Sequence, residues 1–502
     1  MKGLRMHRDR AGFLEQALLC GLTAVSALLL LGQLFAPQPI ALPGVTIDRL
    51  SALMTLLVAG IGLVVYRFAV RYMDGAPDQR RFLRSLCLTV GMAYLLMLAT
   101  NMLLLFAAWS LTSIGLHQLL TFYRDRPEAY PPARKKLLIS RLGDVGLLAA
   151  IALIWLEWRT LELGGFLERV AAGDGSSAVA SAVGLLVVLA ALTKSAQFPF
   201  HSWLPETMEA PTPVSALMHA GVINAGGVLL LRFAPLLTLV PAALFLLALV
   251  GAITAALGML AMWTQPTIKR TLAWSTVSQM GFMMVQCGLA AFPVAALHIV
   301  GHGCYKAWSF LRSGELPQQA PSVDALPPLR ALALGASGTA LAIPALAVAA
   351  RLTGFDPLHS PGELALSGIV ALSIGQLWIT LFRYRAVAAG HIPQRIMAAL
   401  LLTIIVSVTA FALYRGAGVF LAPVLGPLRT PQGALAWATA LVPLIVFAGL
   451  AVVHTLLPAI SRSARGRALA VHALHGFYIG ALADRLVARI WNRFAPRRTR
   501  HA

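Results

Sequence analysis

The stretch LLVVLAALTKSAQFPFHSW, Leu185 to Trp203, decides how this chain is read. It opens as an apolar run suited to a helix in a bilayer, reaches Lys194, and meets Pro199 five residues later. Proline lacks the N–H that a helix interior needs, so the helix should stop between the two. A lysine at membrane depth costs about 3 kcal/mol on insertion scales, and one that persists faces a bundle interior or water. There it is a candidate to take up and release a proton. The bland alternative is a lysine snorkelling to the interface. The break and the polar neighbours Ser195, Gln197 and His201 favour the proton-handling reading.

The rest of the chain agrees with a membrane setting. Of its 502 residues, 58% are hydrophobic and 12% charged, against roughly 25% charged in soluble proteins. The mean hydropathy is +0.77. A soluble enzyme, a disordered chain and a secreted disulfide scaffold are excluded, and so is an outer-membrane barrel, whose strands alternate in short segments. The expectation is an all-α polytopic membrane protein. The net charge of +21 sits in short loops between apolar runs, as the positive-inside rule requires, and no nucleic-acid motif accompanies it. Cys20, Cys87, Cys287 and Cys304 lie in apolar runs without a CxxC pair and read as small buried residues.

A spanning helix needs about 20 apolar residues. About fourteen candidates follow from that length, near 13–35, 47–68, 82–99, 101–122, 133–156, 181–200, 213–234, 241–264, 267–290, 291–312, 331–350, 364–382, 397–414 and 434–458. The first, behind the basic flank Lys2 to Arg10, reads as a retained helix and not a cleaved signal. Alternating from an inside N-terminus places Arg67 to Arg84, Arg124 to Lys136, Lys269, Arg270, Arg383 to Arg395 and the Arg-rich tail on one side. Glu157, Glu162, Glu168 and Asp174 fall on the other. Both termini come out cytoplasmic. Residues 469–492 alternate charges with Leu474, Phe477, Ile479, Leu486 and Ile490, an amphipathic pattern for a membrane surface or a partner. Pro496 to Ala502 read as disordered.

Other ionisable residues fall within the apolar runs. His298, His302 and Lys306 are spaced i, i+4, i+8 and line one helical stripe beside Tyr305. No carboxylate or thiolate pair completes a metal site there, so a proton relay is the better reading, with a metal site and inert histidines as alternatives. His219 in PTPVSALMHAG reads equally well as a relay member or a hydrogen-bonded core residue. Arg141 and Asp144, at i, i+3, are placed to pair. Lys269-Arg270 mark an entrance, with Lys269 able to face inward. No nucleotide-binding motif is present.

Two long motifs then bring a resemblance. KSAQFPFHSWLPETMEAPTPVSALMHA, Lys194 to Ala220, and IKRTLAWSTVSQMG, Ile268 to Gly281, resemble the signatures of the proton-translocating, antiporter-like subunits of respiratory complex I and of multisubunit cation/proton antiporters. The resemblance implies two inverted five-helix repeats with discontinuous helices, a general device of ion sites. It implies N-terminal helices over 1–99, repeats over 100–240 and 241–420, a last span over 421–460 and a basic amphipathic tail over 461–502. Residues 201–208 would form a short half-helix. Lys194, His219, Lys269, His298, His302 and Lys306 would line a hydrated axis.

Two departures qualify it. Pumping relatives carry a Trp-Glu pair where this chain reads Trp109-Ser110, and a second-repeat Lys or Glu where LAIPALAVAARLTGFDP offers only Arg351, expected near its outer end. The depleted charges and the ending His475-Gly-Phe-Tyr to Asp484-Arg-Leu486 resemble more the membrane subunit of DAB-type inorganic carbon accumulation systems. That implies a proton- or cation-conducting subunit of the bacterial inner membrane. It would carry no cofactor of its own and would energise a large zinc-binding, carbonic-anhydrase-like partner of the DabA type. Two readings stay open beside it: a complex I-like pump or cation/proton antiporter subunit, and a scaffold with a vestigial relay.

Overall fold

The structure, a computed structural model, describes residues 12–315, 326–383 and 392–494. The basic flank Lys2 to Arg10 and the segment Pro496 to Ala502 lie outside the described residues. Among the described residues, twelve helices are long and apolar enough to cross a membrane. Helices prevail because lipid offers backbone groups no other partner.

Helix α1 (Phe13–Phe35) leads through a hairpin, β1 (Ile40–Leu42) and β2 (Val45–Ile47), into α2 (Arg49–Tyr72). Asp48 starts α2 by accepting from the Ser51 amide at 2.7 Å, and the Ser51 hydroxyl accepts in return from the Asp48 amide. The Asp48 carboxylate also takes two bonds from Arg232, at 2.5 and 3.3 Å. One carboxylate thus caps a helix and ties it to a distant one. Helices α3 (Gln79–Leu98), α4 (Met102–Leu120), α5 (Tyr130–Trp158), α6 (Leu163–Ala171) and α7 (Ser177–Lys194) follow. Asn101 caps α4, accepting from Leu103 N at 3.0 Å.

Helix α7 stops at Lys194. The backbone turns through Ala196, at φ 50°, and resumes as the single turn α8 (Trp203–Glu206). The left-handed conformation costs a non-glycine residue about 1 kcal/mol, and Ala196 holds it in a fully buried position. A second interruption follows where one helix over 213–234 was expected. Helix α9 (Thr212–Ala220) ends at Gly221, a 3₁₀ turn covers Val222–Asn224, and α10 (Ala225–Arg232) resumes. The reason is the crossing with α7. A side chain at Gly226 would fall 2.4 Å from Ser195 Oγ, while Ser195 Oγ donates to the Ile223 carbonyl at 2.8 Å. The two breaks support each other. Of the apolar window in Thr212–Arg232, 94% is buried, so this pair forms the centre of the bundle.

Helices α11 (Pro241–Met262), α12 (Ile268–Gly288), α13 (Phe292–Leu311), α14 (Pro328–Thr353), α15 (Pro361–Arg383), α16 (Ile392–Leu425) and α17 (Gly433–Ile460) complete the bundle. α12 and α13 stand apart from the twelve apolar helices; they carry Lys269, Arg270 and the His298–Lys306 stripe. The break expected in LAIPALAVAARLTGFDP does not form. α14 runs unbroken through Pro344 to a Gly354 cap at φ 68°, and Arg351 sits exposed in its last turn. An internal proline deletes a single hydrogen bond. Unlike Lys194 to His201, the six residues after Pro344, Ala345 to Ala350, offer no polar side chain to take over freed backbone partners.

The amphipathic tail also differs from a single surface helix. It forms α18 (Ala464–Leu474) and α19 (Ile479–Phe494), hinged at Gly476, Phe477 and Tyr478 with φ of 58°, 56° and 60°. Three successive left-handed residues reverse the chain, and α19 packs onto α5 instead of lying free.

α11 and α12 meet backbone to backbone. A Cβ at Gly281 would lie 2.5 Å from Ala255 N, and one at Gly258 2.6 Å from Ser278 N. Small residues at such crossings let main chains touch, which lipid alone does not drive. Gly281→Leu should cost about 1–3 kcal/mol through overpacking. It should lower the unfolding temperature of the detergent-solubilised protein. Gly60→Leu, with open space around it, should leave that temperature unchanged.

Candidate functional site

The chemistry concentrates where α7 breaks. Lys194, in the last turn of α7, is 7% exposed. Its Nζ donates to Ser113 Oγ at 2.7 Å and to the Trp109 carbonyl at 2.9 Å, and it lies 4.4 Å from the Trp109 ring centroid. Lys136 reaches the same residue from α5, donating to the Ser113 carbonyl at 2.6 Å. Neither lysine is ion-paired. Each is satisfied by neutral acceptors, so neither has a carboxylate to lock its proton in place.

The nearest carboxylate is one residue removed. Asp144 accepts from Trp109 Nε1 at 3.1 Å and from Ser110 Oγ at 3.3 Å, and pairs with Arg141 at 2.7 Å. Trp109 therefore bridges the two halves, its carbonyl on Lys194 and its indole N–H on Asp144. The resemblance to pumping subunits implies a glutamate at position 110. Here a serine at that position hydrogen-bonds a carboxylate supplied by the neighbouring helix.

A second cluster lies where α5, α8 and α19 meet. Lys135 is fully buried. Its Nζ contacts Glu206 Oε2 and Asp484 Oδ1, both at 2.6 Å. The charge pattern placed Lys135 and Lys136 with the basic residues of an inside segment, at the start of the span 133–156; both are buried within α5. A signal was available: they directly precede the apolar run, and Lys136 shares a helical face with Ser140 and Asp144. Nothing in the linear pattern pointed to Glu206 or Asp484 as their partners.

The stripe on α13 forms a third group. The His298 and His302 rings lie 5.8 Å apart. Lys306, fully buried, donates to Ser275 Oγ at 2.8 Å and to the Leu272 carbonyl at 3.3 Å, both on α12. His219, on α9, stacks on Phe310 at 4.3 Å. α9 packs directly on α13. Lys269 faces inward from the start of α12, donating to Thr212 Oγ1 at 2.9 Å. Cys304 is exposed and free, away from this stripe. Among the described residues, no three His, Cys, Asp or Glu side chains are grouped as a metal ion would require.

Lysine recurs here on a serine: Lys194 and Lys136 on Ser113, Lys306 on Ser275. Among the described residues, buried polar atoms without a hydrogen-bond partner include both ring nitrogens of His219, His298 Nε2, His302 Nε2, His201 Nδ1 and Asn224 Oδ1. Buried polar atoms are rarely left unsatisfied, and water is their usual partner. Such groups can pass protons between lysine and histidine stations.

The described architecture has known counterparts. The family described as NADH:quinone oxidoreductase/Mrp antiporter, TM, matches residues 99–355. That described as NADH-ubiquinone oxidoreductase (complex I), chain 5 N-terminus, matches residues 43–83. The probable inorganic carbon transporter subunit DabB2 of Halothiobacillus neapolitanus is 38% identical over 89% of this chain and 80% of its own length. The probable inorganic carbon transporter subunit DabB of Hydrogenovibrio crunogenus is 42% identical over 54% of this chain and 52% of its own. Among solved structures, a chain of the Mrp complex from Dietzia sp. superposes with a TM-score of 0.61 at 26% identity. That match covers 97% of this chain and 61% of the other. A chain of respiratory complex I from Thermus thermophilus, at 24% identity and a TM-score of 0.51, shares the fold, with 91% and 96% covered. The chain therefore belongs to the antiporter-like membrane subunits of the NADH:quinone oxidoreductase/Mrp family, together with the inorganic carbon transporter subunits of the DabB type.

Proposed function

We propose that this chain is the proton-conducting subunit of an energy-coupled inorganic carbon uptake complex. The observation that carries the conduction is the buried Lys194, held at a helix break by a hydroxyl and a carbonyl and not by a counter-ion. A lysine held by neutral acceptors can release its proton to a neighbour at lower cost than one whose only partner is a buried carboxylate. Asp144, reached through Trp109, stabilises the charged state from a distance and stands in for the glutamate missing at Ser110. His219, His298, His302 and Lys306 extend the path along α9 and α13, and Lys269 lies at its edge. The face bearing α18 and α19 is the cytoplasmic one in this reading.

The carbon-uptake assignment draws on the DabB relatives. The partner would be a large zinc-binding subunit with a carbonic-anhydrase-like site. Its zinc would supply hydroxide from bound water near neutral pH. This chain's part is to move protons down their gradient and bias the partner's uptake step. A complex I-like pump or cation/proton antiporter remains the rival reading, since the same fold serves both.

Lys194→Ala should abolish growth in air of a host that depends on the complex for carbon, while the complex still assembles. Normal growth would sink the relay. Asp144→Asn removes a hydrogen-bonded charge and should slow proton flux about tenfold; Ser110→Ala should change it far less. Flux into vesicles, read with a pH-sensitive dye, separates the two. Mild-detergent purification of the tagged chain should yield one large partner with bound zinc. Several membrane subunits with flavin or iron–sulfur proteins would establish the pump reading instead.

A further inference from the structure

We propose that the C-terminal helix α19 is part of the ion path and that its Asp484 is the water-facing carboxylate through which protons reach Lys135 and the buried stations behind it. This rests on the conduction reading above.

An interfacial anchor turns its apolar face to lipid and its charges to water. α19 instead directs a charge inward. Asp484 contacts Lys135 Nζ at 2.6 Å, the Gly480 carbonyl accepts from the same Nζ at 3.4 Å, and the Arg134 guanidinium lies 4.7 Å from the Trp491 ring. The backbone is shaped for this contact. A Cβ at Gly480 would fall 2.6 Å from Glu206 Oε1, and one at Gly476 2.7 Å from the Trp274 ring. Gly476 also has φ 58°. Gln265 Nε2 holds the end of α18 through the Leu474 carbonyl at 3.2 Å. Glycine at both touching points and a hinge of three left-handed residues set the segment across the end of the bundle.

The exposures order the groups. Asp484 is 47% exposed at its side chain, Glu206 30%, and Lys135 not at all. Water thus touches a carboxylate that touches a buried ammonium. The next residue, Lys136, reaches the Ser113 carbonyl, and the Ser113 hydroxyl accepts from Lys194. Asp484 and Lys135 thus stand at the exposed end of α5, one residue before the lysine that shares Ser113 with Lys194. Holding a helix in place needs only an exposed ion pair or apolar contact. Completely burying a lysine is costly unless matched, and matching it with two water-touching carboxylates fits a station better than a clamp. Other charged groups nearby, Arg134 on α5 and Arg270 on α12, are exposed or turned to other partners.

The test uses the full chain with its co-purified partner in liposomes, with dye-reported proton flux under an imposed potential. Asparagine at 484 still accepts a bond from Lys135 but cannot carry a proton. Asp484→Asn should therefore slow flux about tenfold, as loss of a charged hydrogen-bond partner does, and Asp484→Glu should restore it. Docking is followed separately, by bis-maleimide cross-linking of Arg134→Cys to Trp491→Cys after the native cysteines are replaced by serine. Flux lost with the cross-link retained supports the station. Flux lost only together with the cross-link makes α19 a clamp and overturns the proposal. Wild-type flux in Asp484→Asn, or faster flux marking a lid, overturns it as well. Lys194→Ala separates the two levels of inference. If it conducts like wild type, the conduction reading fails. If it does not, while Asp484→Asn does, only the role of α19 fails.

Discussion

The rest of the structure depends on keeping an ammonium group inside a bundle of apolar helices. Lys194 can sit there only if nearby oxygens replace water. Breaking α7 at Lys194 opens that helix end, while α4 turns the Ser113 hydroxyl and the Trp109 carbonyl toward the ammonium. The second interruption, at Gly221, follows from the first: Gly226 lets α10 approach Ser195, and the freed Ile223 carbonyl accepts the Ser195 hydroxyl. Backbone exposed by one break is satisfied by the other, as hydrocarbon surroundings require.

The substitution at position 110 becomes intelligible in the same terms. In this chain the carboxylate resides on α5, as Asp144, and reaches the lysine only through the Trp109 peptide and indole. The counter-charge is kept while its direct hold on the lysine is loosened. Arg141, paired to the same carboxylate, competes for it. Two lysines that share Ser113 without a carboxylate between them form a more weakly held pair of charges than a lysine–glutamate couple.

The C-terminal helices show how an amphipathic pattern can mislead when read by composition alone. The alternation over 469–492 fits a membrane surface, yet Asp484 faces inward and pairs with a lysine 349 positions earlier in the chain. Complementary charges over such separations leave no periodic trace.

The sequence alone determined the all-helical membrane class, the break at Lys194 and the stripe His298, His302, Lys306, because each rests on local rules: apolar length, proline chemistry and helical spacing. The long motifs carried the family. Tertiary structure alone decided the burial of Lys135 and Lys136, the bridging role of Ser113, the contacts of Asp144 and the docking of Asp484. It also decided that α14 would run through Pro344 unbroken. Each of these turns on which helix lies beside which, and a charge reads as solvated or buried only once its neighbours are in place.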